Sequence, residues 1–526
     1  MKYLVPLFAF LCIVSYCQAQ IDNLDPNFGN GGVAHANFFS SWDEGQAAIR
    51  YPDGKILIAG RTRNAQNQYI ICVARFLSNG QPDNNFGNQG KATFSSNAND
   101  NIVKIIDPLL QPDGKIIIPG TINVNNVVKR ILVRIQANGQ LDNSFAANGF
   151  YVSTFENEED ISQCRLFSDG RIWCIGGNQV STAPNGLLRN RLSSIRFLAN
   201  GIIDTSYNGS NYKVHAVATG EAFDVATEGC FLSDSTAVIV GNNFPTVNGT
   251  RRLVFAKINF KGNFDSTFGT NGSFRHLPPY NLFGTTRLKP ASNGDLIMTA
   301  AARLSGSGQI GNTAVYRYKS IGRVDSSFGT NGIAVNPNYT FNGNYLAADF
   351  QVDALGKIWV AHFGRNTAGL QTYAVSVFMP NGAMDNSYNG LGFLMSGMVG
   401  SPKRIFLEPD GFPILAGTGI KSGITTEDDL IAVKIRPSTV SILPNEGGKF
   451  SVFPTLVESG TTIRIEFEAK SQVEWQLVNN AGQIIQKGIS QQVSQIEPET
   501  SGLVPGMYHV RCLVGKTLKQ ARFVVY

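Results

Sequence analysis

The chain has 526 residues and a net charge of +6, with only 16% charged residues and 55 glycines. So weak a charge, +5 once Lys2 leaves with the leader, excludes a strongly basic surface of the kind that holds nucleic acid or anionic lipid. Abundant glycine and asparagine fit many short strands joined by turns, not helices.

In chain order, residues 1–19 read as a signal peptide. Lys2 is the only charge before Asp22, Tyr3 to Tyr16 is almost wholly apolar, and Ala19 offers a small residue before Gln20. The apolar run is too short for a membrane span, which needs ~20 residues, and nothing later approaches one. Bulky Tyr16 argues against lipid attachment at Cys17. The mature chain is therefore expected outside the inner membrane and without a transmembrane span.

Residues 20–436 are dominated by a repeat. Asp25, Asp83, Asp142, Asp204, Asp265, Asp325 and Asp385 each precede an aromatic by three residues: Phe28, Phe86, Phe145, Tyr207, Phe268, Phe328 and Tyr388. The spacings are 58, 59, 62, 61, 60 and 60 residues. A second segment keeps step: Pro52-Asp53-Gly54-Lys55 is echoed by Pro112-Asp113-Gly114-Lys115 and by weaker copies at Asp169-Gly170, Ser233-Asp234-Ser235, Asn293-Gly294, Leu355-Gly356 and Asp410-Gly411. An Asp-Gly or Asn-Gly pair between apolar runs signals a hairpin, because glycine accepts the positive φ of the turn.

A third segment carries a basic residue, Arg75, Arg134, Arg196, Lys257, Arg317 or Lys434, with Val377 the exception, and ends on an Asn-Gly-like turn. Each repeat thus predicts four short strands with no helical stretch. Seven such units predict a seven-bladed β-propeller, an all-β fold whose radial packing leaves only short edges. The last repeat ends at Val433-Lys434-Ile435-Arg436 without its own Asp segment, so the N-terminal strand is expected to complete it and close the ring. An open solenoid is the competing architecture.

The pairing of PDGKILIAG-like and LDxxFGxxG-like segments at this period resembles the delta-60 repeat, a bacterial family read as a β-propeller without settled activity. The resemblance covers about Leu24 to Arg436. The fourth repeat departs most, with Asn208 for glycine and Ser233-Asp234-Ser235 for the Asp-Gly turn.

Periodicity stops near Pro437, and 437–449 reads as a linker. Residues 450–526 alternate over several short strands, around Thr462 to Glu468, Val473 to Val478, Met507 to Cys512 and Ala521 to Tyr526, which predicts a small C-terminal β-sandwich. The order Phe453-Pro454-Thr455-Leu456, Asn480-Ala481-Gly482-Gln483, Gly506-Met507-Tyr508 and a terminal Phe523-Val524-Val525 resembles the C-terminal sorting domain of type IX secretion cargo. That resemblance implies the type IX secretion machinery as a partner and a chain released or held at the outer cell surface.

Five cysteines remain after the leader, too few and too scattered for a disulfide framework, and no CxxC spacing suggests zinc. Cys164 and Cys174 flank the turn at Ser168-Asp169-Gly170-Arg171, where a disulfide and two buried thiols are both open.

The repeated Asp and Arg invite a charged or calcium-binding ring, but what every repeat carries is explained by what every repeat needs. Each Asp can accept backbone N–H bonds in its own turn, and Arg75 stands eight residues before Asp83, where the two can bridge. No Asp-x-Asp-x-Asp loop supports calcium. Function is expected where repeats disagree: Trp42-Asp43-Glu44, Glu156-Asn157-Glu158-Glu159-Asp160, Arg189 and Arg191, Arg251-Arg252, Arg275-His276 and Glu427-Asp428-Asp429. A charge run of this kind is usually a solvated loop. The histidines, His35, His215, His276, His362 and His509, form no metal motif, and no nucleophile or phosphate-loop fingerprint stands in context. No catalytic residue, metal site or cofactor is assigned.

Three functions remain open: a non-enzymatic module binding an extracellular glycan or protein, a secreted glycan-active hydrolase or lyase with its site in the channel, and a structural spacer of the cell surface. Carboxylates converging on the channel from different repeats would not be visible in sequence.

Overall fold

The alternation within each repeat becomes an antiparallel meander. The computed structural model describes residues 23–436 and 450–525, apart from 40–41, 98–100, 158, 182–187, 209–211, 218–222, 233–234, 245–251, 280, 304–309, 337–340, 343–346, 366–369, 389–391, 421–427, 454–455, 458–459, 461, 480–483, 505 and 515–516. The leader at 1–19, the linker at 437–449, Arg251 and Glu427 lie outside the described residues.

After an opening strand β1 (Val33–Ala36), the first repeat runs through β2 (Glu44–Arg50), β3 (Ile56–Arg63), β4 (Tyr69–Phe76) and β5 (Lys91–Phe94), paired in that order. Four further sheets follow the same plan within 101–152, 159–215, 223–276 and 281–342, the first and last of them with extra short strands. The sixth sheet holds seven strands. Its strand Phe393–Phe406 is shared: the first half pairs Gln371–Phe378 and the second half pairs Ile414–Ile420.

Ring closure follows the expectation. β1 lies antiparallel to Asp429–Lys434, from Val33 opposite Val433 to Ala36 opposite Leu430. Leu24 bridges Ile435, and the Asp25 N–H donates to the Lys434 carbonyl at 2.9 Å. The last sheet also meets the first, where the Thr418 hydroxyl donates to the Gly45 carbonyl at 3.1 Å.

Apolar faces of successive sheets pack on one another, and the aromatic of each motif sits in the cluster between two of them. Phe86, Phe145, Tyr207, Phe268 and Phe328 fill the spaces from the first sheet to the sixth. Tyr388 lies between the two halves of the sixth, and Phe28 between the last repeat and the first. A buried ring of this size contributes about 1.5–3 kcal/mol.

The motif aspartate builds a clasp. In all seven, Oδ1 accepts the N–H two residues on, from Asn27, Asn85, Ser144, Ser206, Thr267, Ser327 and Ser387. The other oxygen takes the basic residue: Arg75 to Asp83 at 2.8 Å, Arg134 to Asp142 at 2.7 Å, Arg196 to Asp204 at 2.6 Å and Arg317 to Asp325 at 2.6 Å. Where Val377 breaks the pattern, Lys357 from the hairpin turn reaches Asp385 at 2.7 Å instead. The same guanidinium reaches the next sheet, Arg75 to the Ala137 carbonyl at 2.6 Å and Arg134 to that of Ala199 at 2.8 Å. Gly139 shows why the following turn needs glycine: at φ +86° a Cβ would stand 3.0 Å from the Phe86 ring.

Two details differ from expectation. The fourth motif makes one turn of helix, Thr205–Asn208, which Asp204 caps by accepting the Ser206 N–H. In the irregular hairpin of that repeat, Ser235 takes the positive φ, +62°, that glycine takes elsewhere.

Residues 450–525 form a separate sheet in the order Phe450–Phe453, Arg464–Asn479, Gly506–Val514, Thr517–Val525, Leu456–Val457, with Ile484–Ile496 along Arg464–Asn479. The two alternating segments expected at 462–468 and 473–478 are one strand, whose pairing with Ile484–Ile496 shifts register around Ser471. Its core joins Ile463, Ile465, Val473, Leu477, Val510, Cys512 and Phe523.

Candidate functional site

Because the strands of each repeat alternate in direction, the Asp-Gly and Asn-Gly turns gather at one end of the sheets. The irregular connections gather at the other. The first strands of the repeats line the axis between these ends, and each is broken by a register shift midway. That shift turns a side chain out of the sheet pattern and into the centre.

Five repeats deliver charge there. Arg287 Nη2 lies 2.5 Å from Asp107, its Nη1 3.4 Å from Glu228 and its Nε 3.3 Å from Asp349. Arg404 also pairs with Asp107, and Lys289 reaches Asp349 at 2.7 Å. Three carboxylates thus meet three cations, and the cluster is neutral as a whole.

The titration of the acids follows their partners. For Asp107, burial alone would raise the pKa, but Arg287 and Arg404 outweigh it and hold the carboxyl well below its ordinary range. Burial is likewise overcome at Asp349, by Lys289 and Arg287, and its pKa is lowered. At Glu228 burial wins over Arg287, and the pKa is raised.

At the turn end of the axis, Pro108, Leu110, Arg165, Phe231, Leu288 and Lys289 border an open hollow of about 620 Å³. Its wall includes Cys164, which is bonded to Cys174 directly across the hairpin. Of the two possibilities left by the sequence, the structure has the disulfide.

At the irregular end, the last two residues of the acidic run stand on a strand, while Glu156 is exposed ahead of it and Glu158 lies outside the described residues. Glu159 is buried and pairs with Arg130 at 2.5 Å, while Asp160 pairs with Lys104 at 3.1 Å. Arg130 also bonds the Gly177 carbonyl at 3.1 Å, Ser193 Oγ at 2.8 Å and the Asn178 side-chain oxygen. Lys104, Glu159, Asp160, Gly177 and Asn178 border a second hollow, of about 330 Å³.

Two other irregular segments meet at the ring seam. Trp42 Nε1 donates to Asp428, and the Asp43 N–H donates to the Asp428 carbonyl at 2.8 Å. His35 Nε2 lies 2.7 Å from Asp429 Oδ2, and Asn37 donates to Asp429 Oδ1 at 2.7 Å. Burial raises the Asp43 carboxyl to about 6, although the Phe38 N–H donates to it at 2.7 Å.

Glu44 pairs with Arg61 at 2.8 Å. Arg191 is buried, and Arg275 lies on the outer edge of the fourth sheet. Arg189 and Arg252 stand on strands paired within their own sheets.

The histidines do not converge. His215 contacts Ser194 at 2.7 Å, His276 contacts Tyr318 at 3.0 Å and His362 contacts Ser376 at 2.8 Å. His509 belongs to the C-terminal sheet. Among the described residues no group of three His, Cys, Asp or Glu side chains is placed to hold a metal, and no helix is long and apolar enough to cross a membrane.

Sequence reasoning named the seam and the acidic run but missed the axial cluster. No single repeat carries that pattern: the residues come from five repeats and differ in chemistry at corresponding positions.

A model of the family described as domain of unknown function (DUF5122) β-propeller matches residues 52–86 and 111–145. No curated protein matches. Among solved structures, a polysaccharide lyase of family PL25, an ulvan lyase, is 12% identical over 76% of this chain and 96% of its own, with a TM-score of 0.41. Drosophila Semaphorin 2a is 8% identical over 95% and 99%, with a TM-score of 0.41. A fungal alcohol oxidase of the AA5 family is 12% identical over 94% and 100%, with a TM-score of 0.35. At these scores the likenesses carry nothing about chemistry. What the fold and the family match support together is an all-β protein built of β-propeller repeats.

Proposed function

We propose that this chain is an exported, non-enzymatic binding module. It is read as a seven-bladed propeller at 20–436, linked through 437–449 to a C-terminal sorting sandwich at 450–526. The seven aromatic-filled clusters support the blade count. Export rests on the leader at 1–19 and on the likeness of the last 80 or so residues to type IX cargo. The Cys164–Cys174 disulfide agrees with an oxidising compartment. The partners are the type IX secretion machinery and an extracellular glycan or protein, and the location is the medium or the outer cell surface.

The observation that carries the binding reading is the axial cluster. Glycan hydrolysis by the usual route needs a protonated acid and a free carboxylate on either side of the scissile bond. Here Asp107 and Asp349 are each held by two cations, and all three carboxylates share Arg287. Such a knot closes the axis and fixes the blades, leaving recognition to the irregular end.

Glu228 favours the second reading, a glycan hydrolase or lyase, because a buried carboxyl with a raised pKa suits a general acid. The two separate on a glycan array combined with a turnover screen of the mature chain. Binding without product supports the module. Product formation that Glu228→Gln abolishes overturns it.

A further inference from the structure

The hollow of about 620 Å³ at the turn end of the axis lies among the first strands of the second to fifth repeats. Its volume falls within the range of small-molecule sites. Most of its wall is apolar: Leu110, Leu166 and Phe231 are half-buried, Pro290 is exposed and Leu288 is buried behind them. Apolar surface left open in this way is surface that a ligand would remove from water.

The charge on that wall is one-sided. Among the described residues that border the hollow are Arg165 and Lys289 but no Asp or Glu. Lys289 is engaged, with Asp349 at 2.7 Å and with the Phe350 carbonyl. Arg165 has no carboxylate partner among the described residues. It is half-buried, its Nη1 donates to the Leu232 carbonyl, and its guanidinium carbon lies 5.4 Å from the centre of the Phe167 ring. A guanidinium has more donors than that one bond uses, and Nε and Nη2 stay open. Gln163, also on the wall, accepts the Cys164 N–H at 3.2 Å through its side-chain oxygen and keeps its NH2 group.

The repeat plan does not call for this cation. At the same register of the first strand, other repeats carry Ile49, Leu109, Cys230, Gln351 and Phe406. The backbone next to Arg165 is also pinned, since Cys164 is bonded to Cys174 across the hairpin. A fixed site loses less freedom when a ligand arrives. The Nε and Nη2 edge of a guanidinium matches the two oxygens of a carboxylate, a pairing that ammonium or hydroxyl cannot make.

We infer that this hollow binds a small apolar carboxylic acid, with its carboxylate on Arg165 and its hydrocarbon part against Leu110, Leu166 and Phe231. The site is separate from the irregular end and does not depend on glycan recognition. It is tested by calorimetric titration of the full mature chain with octanoate, 1-octanol, octylammonium and acetate. Arg165→Gln removes the charge, and Pro290→Trp fills the hollow from an exposed position.

Saturable octanoate binding is expected, with octanol, octylammonium and acetate each about tenfold or more weaker. Both variants should lose octanoate affinity by about the same factor, and Pro290→Trp should keep the wild-type melting temperature. No octanoate binding, equal binding of octanol or octylammonium, or unchanged affinity in both variants overturns the site. None of these results bears on glycan capture, so the module stands or falls separately.

Discussion

Asp142 shows what a single repeated residue does. It accepts the Ser144 N–H and hydroxyl, pairs with Arg134 at 2.7 Å and Lys115 at 3.2 Å, and is almost fully buried. Burial would raise its carboxyl, but Ser144, Lys115 and Arg134 hold it at about 2. Removing one partner of a buried pair strands the other, so Asp142→Ala is expected to cost about 3–5 kcal/mol in urea unfolding, toward the lower figure because Arg134 keeps the Ala199 carbonyl. A loss under about 1 kcal/mol would mean that the clasp is ornamental. The clasp was legible in the sequence because its parts are local, eight residues apart across one turn. Lys357 standing in for the missing cation at Val377 was not, since it comes from a different turn and is found only once the strands are paired.

At the scale of the element, the hairpin closed by Asp169-Gly170 is also closed covalently. Cys164 and Cys174 are cross-strand partners ten residues apart, joining the axis-lining strand of the third repeat to its neighbour. A loop this short lowers the entropy of the unfolded chain enough to stabilise the fold by about 2–3 kcal/mol. Replacing both cysteines by serine should lower the urea midpoint accordingly, and reductant should then have no further effect. A midpoint equal to that of the oxidised wild type would contradict this. Hairpins of this kind were readable because turn chemistry fixes their register. The axial cluster was not: Glu228, Arg287, Asp349 and Arg404 stand at the register shifts of their strands, Asp107 follows the end of the second repeat's first strand, and nothing local in the sequence marks either place.

For the whole molecule, the ring and its period were plain in the sequence, as was closure by the N-terminal strand. The pH response, by contrast, depends on burial and had to be seen. Burial lowers His215 to about 3 and His276 and His362 to about 4, against an ordinary value of 6.5. The unfolded chain therefore takes up these protons first. The stability they contribute is full above about pH 6.5 and is lost as pH falls toward 4. Asp43 has the opposite sign: raised to about 6 from 3.8, it contributes stability below about pH 4 that is lost as pH rises through 6. With three histidines against one aspartate, the urea midpoint should fall between pH 7 and pH 4.5. Asp43→Asn should raise that midpoint at pH 7.5 and change it less at pH 5. A midpoint that climbs on acidification would contradict the burial of the histidines.

The central claim is that this ring recognises and does not transform, and product analysis on a captured glycan tests it most directly. The mature chain is incubated with whichever array glycans retain it, and the glycans are then sized by mass spectrometry beside a Glu228→Gln control. Saturable retention, with wild type and variant leaving every glycan at its starting mass, is the predicted result. Shortened or unsaturated products from the wild type that vanish with Glu228→Gln would contradict it and make the axial cluster an active site.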